Sequence, residues 1–261
     1  TWRAMAASER GKRLTELGRR LEENAEEVAR VLAAESGNAI KTQSRGEAMG
    51  AAGVFKYYGG VAVEQKGETL PLGPGLFSYS TREPHGVVGS IIPWNSPLQL
   101  GAVKISMALA TGNCLVLKPA EDAPLAILKL AELADGLFPP GVFNVVTGLG
   151  EEAGAALASH PDVDKVSFTG SSEVGKLIGK ATSDRIAKLT LELGGKSPTI
   201  VFPDAISEGR LDSTAQQVAN AMRFARQGQS CTAGSRVFVH KDIWEELMPK
   251  VAEKSAALNV G

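Results

Sequence analysis

Leu14, Leu17, Leu21, Val28 and Leu32 recur at helical intervals near the start of the chain. An apolar stripe at that period predicts one amphipathic helix over residues 8–37, with Ser8 as its N-cap and Gly37 near its stop. A second helix is expected over 44–58. The stretch "VAVEQKGETLPLGPGLFSYSTREP" then changes character. It alternates, carries Gly and Pro, and reads as a hairpin arm.

From His85 onward the pattern becomes regular. "GVVGSII", "CLVLK", "VFNVVT", "KVSFT" and "AKLTLEL" are short continuous apolar runs, as expected of strands buried on both faces. Helical segments fall between them: "PLQLGAVKISMALATGN" ending at Gly112, "APLAILKLAELADGLF", residues 151–160, and "SEVGKLIGKAT". Strand–helix alternation of this kind predicts an α/β fold with a doubly wound parallel sheet. After Gly195 a strand ("PTIVF"), a helix, a loop of small residues, a strand ("RVFVH") and a last helix begin a second α/β unit.

Composition narrows the function classes. Hydrophobic residues make up 43% of the 261 and charged residues 22%, which allows a sizeable core. The net charge of −1 and the lack of a Lys/Arg block argue against nucleic acid as a partner. Two cysteines cannot build a disulfide framework, and no Cys/His zinc pattern is present. Apolar runs fall short of a membrane span. No secretory leader pattern opens the chain, so a reducing, cytoplasmic setting is the default expectation. The chain starts without Met and ends just after a helix, and both ends read as cut from something longer.

In open α/β sheets, ligands bind at the carboxyl ends of strands. Those ends carry "PWN" (93–95), "KPAE" (118–121), "TGLGEEAG" (147–154), "TGSSEVG" (169–175) and "ELGGKSP" (192–198). "TGLGEEAG" fits a dinucleotide fingerprint or a tight strand–helix connection. Ser171 opens a helix and could serve an anion or act as a plain N-cap. Glu121 could accept two ribose hydroxyls with support from Lys118, or be a solvated acid at a helix start. Asn95 could donate to an oxyanion or simply turn the chain. Glu192 could be a general base or a surface carboxylate. Cys231 lies in "RQGQSCTAGSR", among glycines and small polar residues. That setting suits a reactive thiol with access and nearby N–H donors. Cys114 begins an apolar strand and reads as core. His85, His160 and His240 are scattered and form no metal constellation.

Taken together, "IIPWNSPL", "LKPAE", "FTGSSEVG", "LELGGKSP" and "GQSCTAGSR" resemble the aldehyde dehydrogenase superfamily in order and rough spacing. The resemblance covers nearly the whole chain. It implies a Rossmann-like cofactor domain over 1–60 and 85–196, an oligomerisation arm over 61–84, and the first part of a catalytic domain over 197–261. It makes Cys231 the nucleophile and Glu192 the general base, and it assigns the oxyanion hole to Asn95 and the Cys231 N–H. Lys118 and Glu121 would hold the adenosine ribose. Ser171 would meet the pyrophosphate, with Trp94 nearby, Gly148 would line the adenine side, and Ile92, Pro93 and Gly170 would also contact the cofactor. The implied cofactor is NAD, with NADP as second choice. The implied substrate is a small-molecule aldehyde, converted to a carboxylic acid, and the implied assembly of the complete protein is a homo-oligomer, dimer or tetramer, with no membrane and no metal. Two alternatives remain open: a catalytically silent nucleotide-binding fragment, and a CoA-acylating enzyme of the same family. The family's later segments, which supply a glutamate for the nicotinamide ribose and much of the aldehyde pocket, have no counterpart in this chain.

Overall fold

The computed structural model describes residues 1–259 and divides into two compact units, Thr1–Leu193 and Gly194–Gly261. The first begins with helices α1 (Ala7–Glu23), α2 (Ala25–Ser36) and α3 (Arg45–Val61). The single helix expected over 8–37 is therefore two. Asn24 interrupts it: the amide Nδ2 donates to the Arg20 carbonyl at 2.7 Å, and the backbone turns to φ −106°, ψ 14°. An Asn side chain that competes for backbone partners in this way favours a break. Gly37 does end α2, in the left-handed conformation at φ 71°. The N-cap of α1 is Ala6, not Ser8, and no side chain caps it. The turn before it carries Trp2, whose ring is buried edge-on against Phe138.

The arm at 61–84 is a minimal hairpin, β1 (Thr69–Leu70) antiparallel to β2 (Ser78–Tyr79). It presents Leu72, Leu76 and Phe77 to solvent. Strand β3 (Val87–Ile91) leads into α4 (Pro97–Ala110), β4 (Cys114–Lys118), α5 (Leu125–Leu133) and β5 (Phe143–Val145). A π-helical turn (Gly150–Gly154), α6 (Ala155–Ser159), β6 (Lys165–Thr169), α7 (Ser172–Ser183) and β7 (Lys188–Glu192) follow. Helix α5 is shorter than the apolar run suggested. Pro124 bounds it on one side, and Gly136, at φ +72°, on the other. Its first N–H groups, on Leu125 and Ala126, donate to the Glu35 carboxylate at 2.5 and 3.0 Å. The acid thus serves as a cap delivered from α2.

All five strands run parallel in the order β5-β4-β3-β6-β7. Side chains alternate between two apolar layers. Val88, Leu115 and Leu117 join α1–α5 in one cluster. Val87, Ile91 and Val116 pack with Leu157, Val166, Phe168 and Ile178 in the other. Helices on both faces explain the apolar character of β3 and β4; edge strand β7 instead alternates, with Lys188, Thr190 and Glu192 exposed. Cys114, expected in the core, is only half-buried at the first position of β4, packed against the rim of the larger cluster.

The second unit has β8 (Pro198–Val201), α8 (Leu211–Ala221), β9 (Arg236–Val239) and α9 (Trp244–Ala256). The two strands pair parallel. Val201, Ala215, Val218, Ile243, Leu247 and Val251 form its own core.

Candidate functional site

The chain adds β4 and β5 on one side of β3, then returns to add β6 and β7 on the other. The crevice between two strands whose connections diverge is where open α/β sheets bind ligands. Here it opens at the carboxyl ends of β3 and β6. Two backbone bonds fix its floor: Ile92 N–H to the Lys118 carbonyl at 3.1 Å, and Gly170 N–H to the Glu192 carbonyl at 3.0 Å.

A cleft of about 710 Å³ lies there. Its wall brings together seven of the residues singled out from sequence: Ile92, Pro93, Trp94, Lys118, Glu121, Gly170 and Ser171. Lys118 is almost fully buried, at 2% exposure, and donates from Nζ to Glu121 Oε2 at 2.7 Å. That hydrogen bond, with help from backbone N–H groups including that of Gly150, holds the Glu121 carboxyl below the usual carboxylate range. Glu121 thus enters the cleft ionised, as an acceptor oriented from two sides. Ser171 caps α7, accepting the Val174 N–H at 3.1 Å. It still has its own O–H to donate at a helix N-terminus that favours negative charge. Trp94 is 43% exposed.

Gly148 is not in the wall. At φ +142° it turns the chain, and Gly150, Glu151 and Gly154 reach the cleft instead. Sequence reading also passed over Thr169, whose buried Oγ1 has no partner among the described residues. It missed the apolar side of the cleft as well, Ala155, Ala158, Val174, Leu177 and Ile178. The signal was the helical spacing of Val174, Leu177 and Ile178 on α7. By itself that spacing reads as a core-facing stripe, yet Leu177 is 60% exposed.

Asn95 and Glu192 stand in the first unit, outside the cleft wall. Asn95 follows Trp94 in the loop that enters α4, and its carbonyl accepts from Asn38 Nδ2 at 3.5 Å. That loop is held from below. The buried Glu47 carboxylate accepts the Gln99 N–H at 3.1 Å, in the first turn of α4, and the Gln43 amide at 3.2 Å. Glu192 ends β7 with its side chain exposed. On the neighbouring strand, Ser167 Oγ accepts from Lys104 Nζ at 2.7 Å. Burial pushes the Lys104 ammonium down to about 8, with the Glu192 charge opposing that shift.

Cys231 is exposed in the second unit, in a turn where Ala233 N–H donates to the Ser230 carbonyl at 3.2 Å. Thr232 Oγ1 accepts from Arg223 at 2.9 Å and lies 3.1 Å from Ser230 Oγ. Gly195 runs beside this turn: a Cβ there would stand 3.6 Å from the Cys231 carbonyl oxygen. Small residues leave the thiol accessible, a condition for nucleophilic use. Among the described residues no group of three or more His, Cys, Asp or Glu side chains could hold a metal ion. Among the described residues no helix is long and apolar enough to cross a membrane.

The model of the aldehyde dehydrogenase family matches residues 1–261. An aldehyde dehydrogenase of Enchytraeus buchholzi is 43% identical over 262 residues, covering 100% of this chain and 52% of its own length. Human retinal dehydrogenase 2 is also 43% identical, over 100% of this chain and 50% of its own. In structure, an NAD+ complex of an aldehyde dehydrogenase from Bacillus cereus superposes with a TM-score of 0.93 at 38% identity, over 100% of this chain and 52% of that one. The chain spans about half the length of the relatives it matches.

Proposed function

Because this chain belongs to the aldehyde dehydrogenase family, we propose that it is the cofactor-binding and nucleophile-bearing portion of an enzyme that oxidises aldehydes to carboxylic acids with NAD. The observation that carries this reading is the switch-point cleft with its ionised Glu121 held by Lys118. A carboxylate in that position can accept both hydroxyls of a ribose. The α7 N-terminus suits a pyrophosphate, and the apolar side of the cleft suits an adenine ring. Thr169 Oγ1, buried in the wall with no partner among the described residues, offers a further polar group. The residues present therefore fit a dinucleotide, and NAD+, when bound, supplies the acceptor for a hydride.

The residues of the chain do the rest. The Cys231 thiolate adds to the aldehyde carbonyl carbon, and the carbonyl π pair moves to oxygen. The resulting thiohemiacetal oxyanion needs donors, and this reading gives that role to the Asn95 amide and the Cys231 N–H. One such donor is worth roughly 3 kcal/mol of barrier. After oxidation the acyl group is held as a thioester on Cys231. Glu192 takes a proton from water, the water oxygen adds to the acyl carbon, and the Cys231 sulfur leaves as thiolate. The support for these roles is the family membership, the exposed thiol among small residues, and the presence of all three residue types.

The test is calorimetric and chemical. NAD should bind the 261-residue chain, and Glu121→Ala should weaken that binding at least tenfold. In a chain extended to the length of its relatives, NAD plus an aldehyde should yield the free acid, and Cys231→Ala should abolish it. Production of an acyl-CoA in the presence of CoA, without free acid, would move the enzyme to the acylating branch. No product in either case would leave a nucleotide-binding protein only.

A further inference from the structure

Glu151 has no part in the function just described, yet it stands in the same cleft wall as Glu121. It follows Gly150, whose N–H donates to Glu121 and where a Cβ would lie 3.8 Å from Glu121 Oε1. The π-helical turn Gly150–Gly154 therefore sets Glu151 one residue beyond that contact, in the wall of the same cleft.

The charge balance there is unequal. Among the described residues the wall carries three charged side chains: Lys118, Glu121 and Glu151. Lys118 is buried and committed to Glu121 at 2.7 Å, so those two largely cancel. Glu151 makes no ion pair among the described residues, and its carboxylate is left in excess. A dinucleotide with free ribose hydroxyls brings no charge to this end. One with a 2′-phosphate brings a dianion at neutral pH, about −1.5 to −2. In a cleft with apolar walls, like charges are screened less than in open water.

We propose that Glu151 is a specificity-determining residue, a second carboxylate that biases the cleft against 2′-phosphorylated dinucleotides. The inference rests on the reading of the cleft as a dinucleotide site. A 2′-phosphate already costs Glu121 one of the two hydroxyl donors it would accept, but with Glu121 neutralised by Lys118 the ribose end would stay close to neutral. Glu151 tips it negative.

The experiment compares dissociation constants for NAD and NADP by calorimetry, using the full 261-residue chain and its Glu151→Gln and Glu152→Gln variants. Glu152 is the adjacent exposed acid and does not line the cleft, so it controls for net charge. Glu151→Gln should lower the ratio of the NADP to the NAD constant by on the order of three- to tenfold. Glu152→Gln should change it by less than about half that factor, since its charge faces solvent. At 1 M salt the wild-type ratio should fall toward that of Glu151→Gln. A ratio that Glu151→Gln leaves unchanged would overturn the inference while the dinucleotide reading stands. Equal effects from the two variants would also overturn it, since net charge would then be the cause. Binding of neither nucleotide by the wild-type chain would remove the dinucleotide reading itself, and this inference with it.

Discussion

Two side chains show how strongly local surroundings set reactivity. Cys231 and Cys114 are the only cysteines of the chain. One is exposed in a turn of small residues, and the other is half-buried at the first position of a central strand, packed on the larger cluster. Iodoacetamide should therefore alkylate Cys231 at least tenfold faster in the folded protein, as peptide mass mapping over time would read. Faster labelling of Cys114 would contradict the assignment of Cys231 as nucleophile. Lys104 makes the second case. Burial lowers its pKa to about 8, Lys165 adds to that shift, and Glu192 resists it. In the unfolded chain the same amine keeps its proton to about 10.5. Between these values the unfolded state binds more protons, so this group makes the fold more stable as pH rises through that window. Subtracting the pH–stability curve of Lys104→Met from that of the wild type should expose the slope, with the penalty present below about 8 and relieved above. In Glu192→Gln the lysine should titrate lower still, because the opposing charge is gone. An unshifted Lys104 resonance in a 13C-labelled titration would remove both expectations.

Among the elements, the pairing of α1 with α3 depends on the absence of side-chain bulk. A Cβ on Gly11 would meet the Gly59 carbonyl oxygen at 2.3 Å, and one on Gly18 would meet the Ala52 carbonyl oxygen at 2.8 Å. These are backbone atoms that cannot swing aside. Gly53 is also in α3, but a Cβ there would meet nothing within 4 Å. The same substitution should therefore act with opposite signs. Gly11→Ala should destabilise the first unit by about 1–3 kcal/mol, as overpacking does. Gly53→Ala should stabilise it by about 0.5–1 kcal/mol, because alanine loses less backbone entropy on forming a helix. Urea denaturation followed by far-ultraviolet circular dichroism would read both, and equal shifts would mean the helices can separate freely. The contrast is invisible in sequence, where all of these residues are single glycines within helical patterns.

For the whole molecule, the two units differ in how completely they close. The first has a five-stranded sheet with helices packed on both faces, only edge strand β7 leaving alternate residues exposed, and a cleft assembled entirely from its own residues. The second pairs only β8 with β9 among the described residues. It exposes Ile200, Phe202, Phe224, Phe238 and Trp244. Isolated two-stranded sheets are marginal in water, and uncovered strand edges invite association. Hydrogen exchange should therefore be faster in β8 and β9 than in β3, β4 and β6, by at least a hundredfold. The 261-residue chain should bind cofactor yet turn over little or no aldehyde, since a loosely held nucleophile loses rate steeply with misplacement. A kcat matching that of a chain extended to the length of its relatives would refute the second expectation, and uniform protection would refute the first.

The sequence by itself determined the alternation of strands and helices. Short runs rich in apolar residues mark the strands, and each strand end is marked by small or polar residues. "CLVLK" and "KVSFT" became β4 and β6 residue for residue. The positions of Lys118, Glu121 and Ser171 near strand ends were legible too, while the cofactor roles given to them came only from the family resemblance. What only the tertiary structure decided depends on non-local contact. Trp2 packs on Phe138, distant from it in sequence, and the Asn24 amide broke a stripe that its period alone would continue. The fold order β5-β4-β3-β6-β7 put the cleft beside α6 and α7, and so brought Thr169, Glu151 and the apolar face of α7 into it. A helical stripe reports which residues share a face. It does not report whether that face meets a core or a cleft, since both reward the same period, and only the packing of the chain separates them.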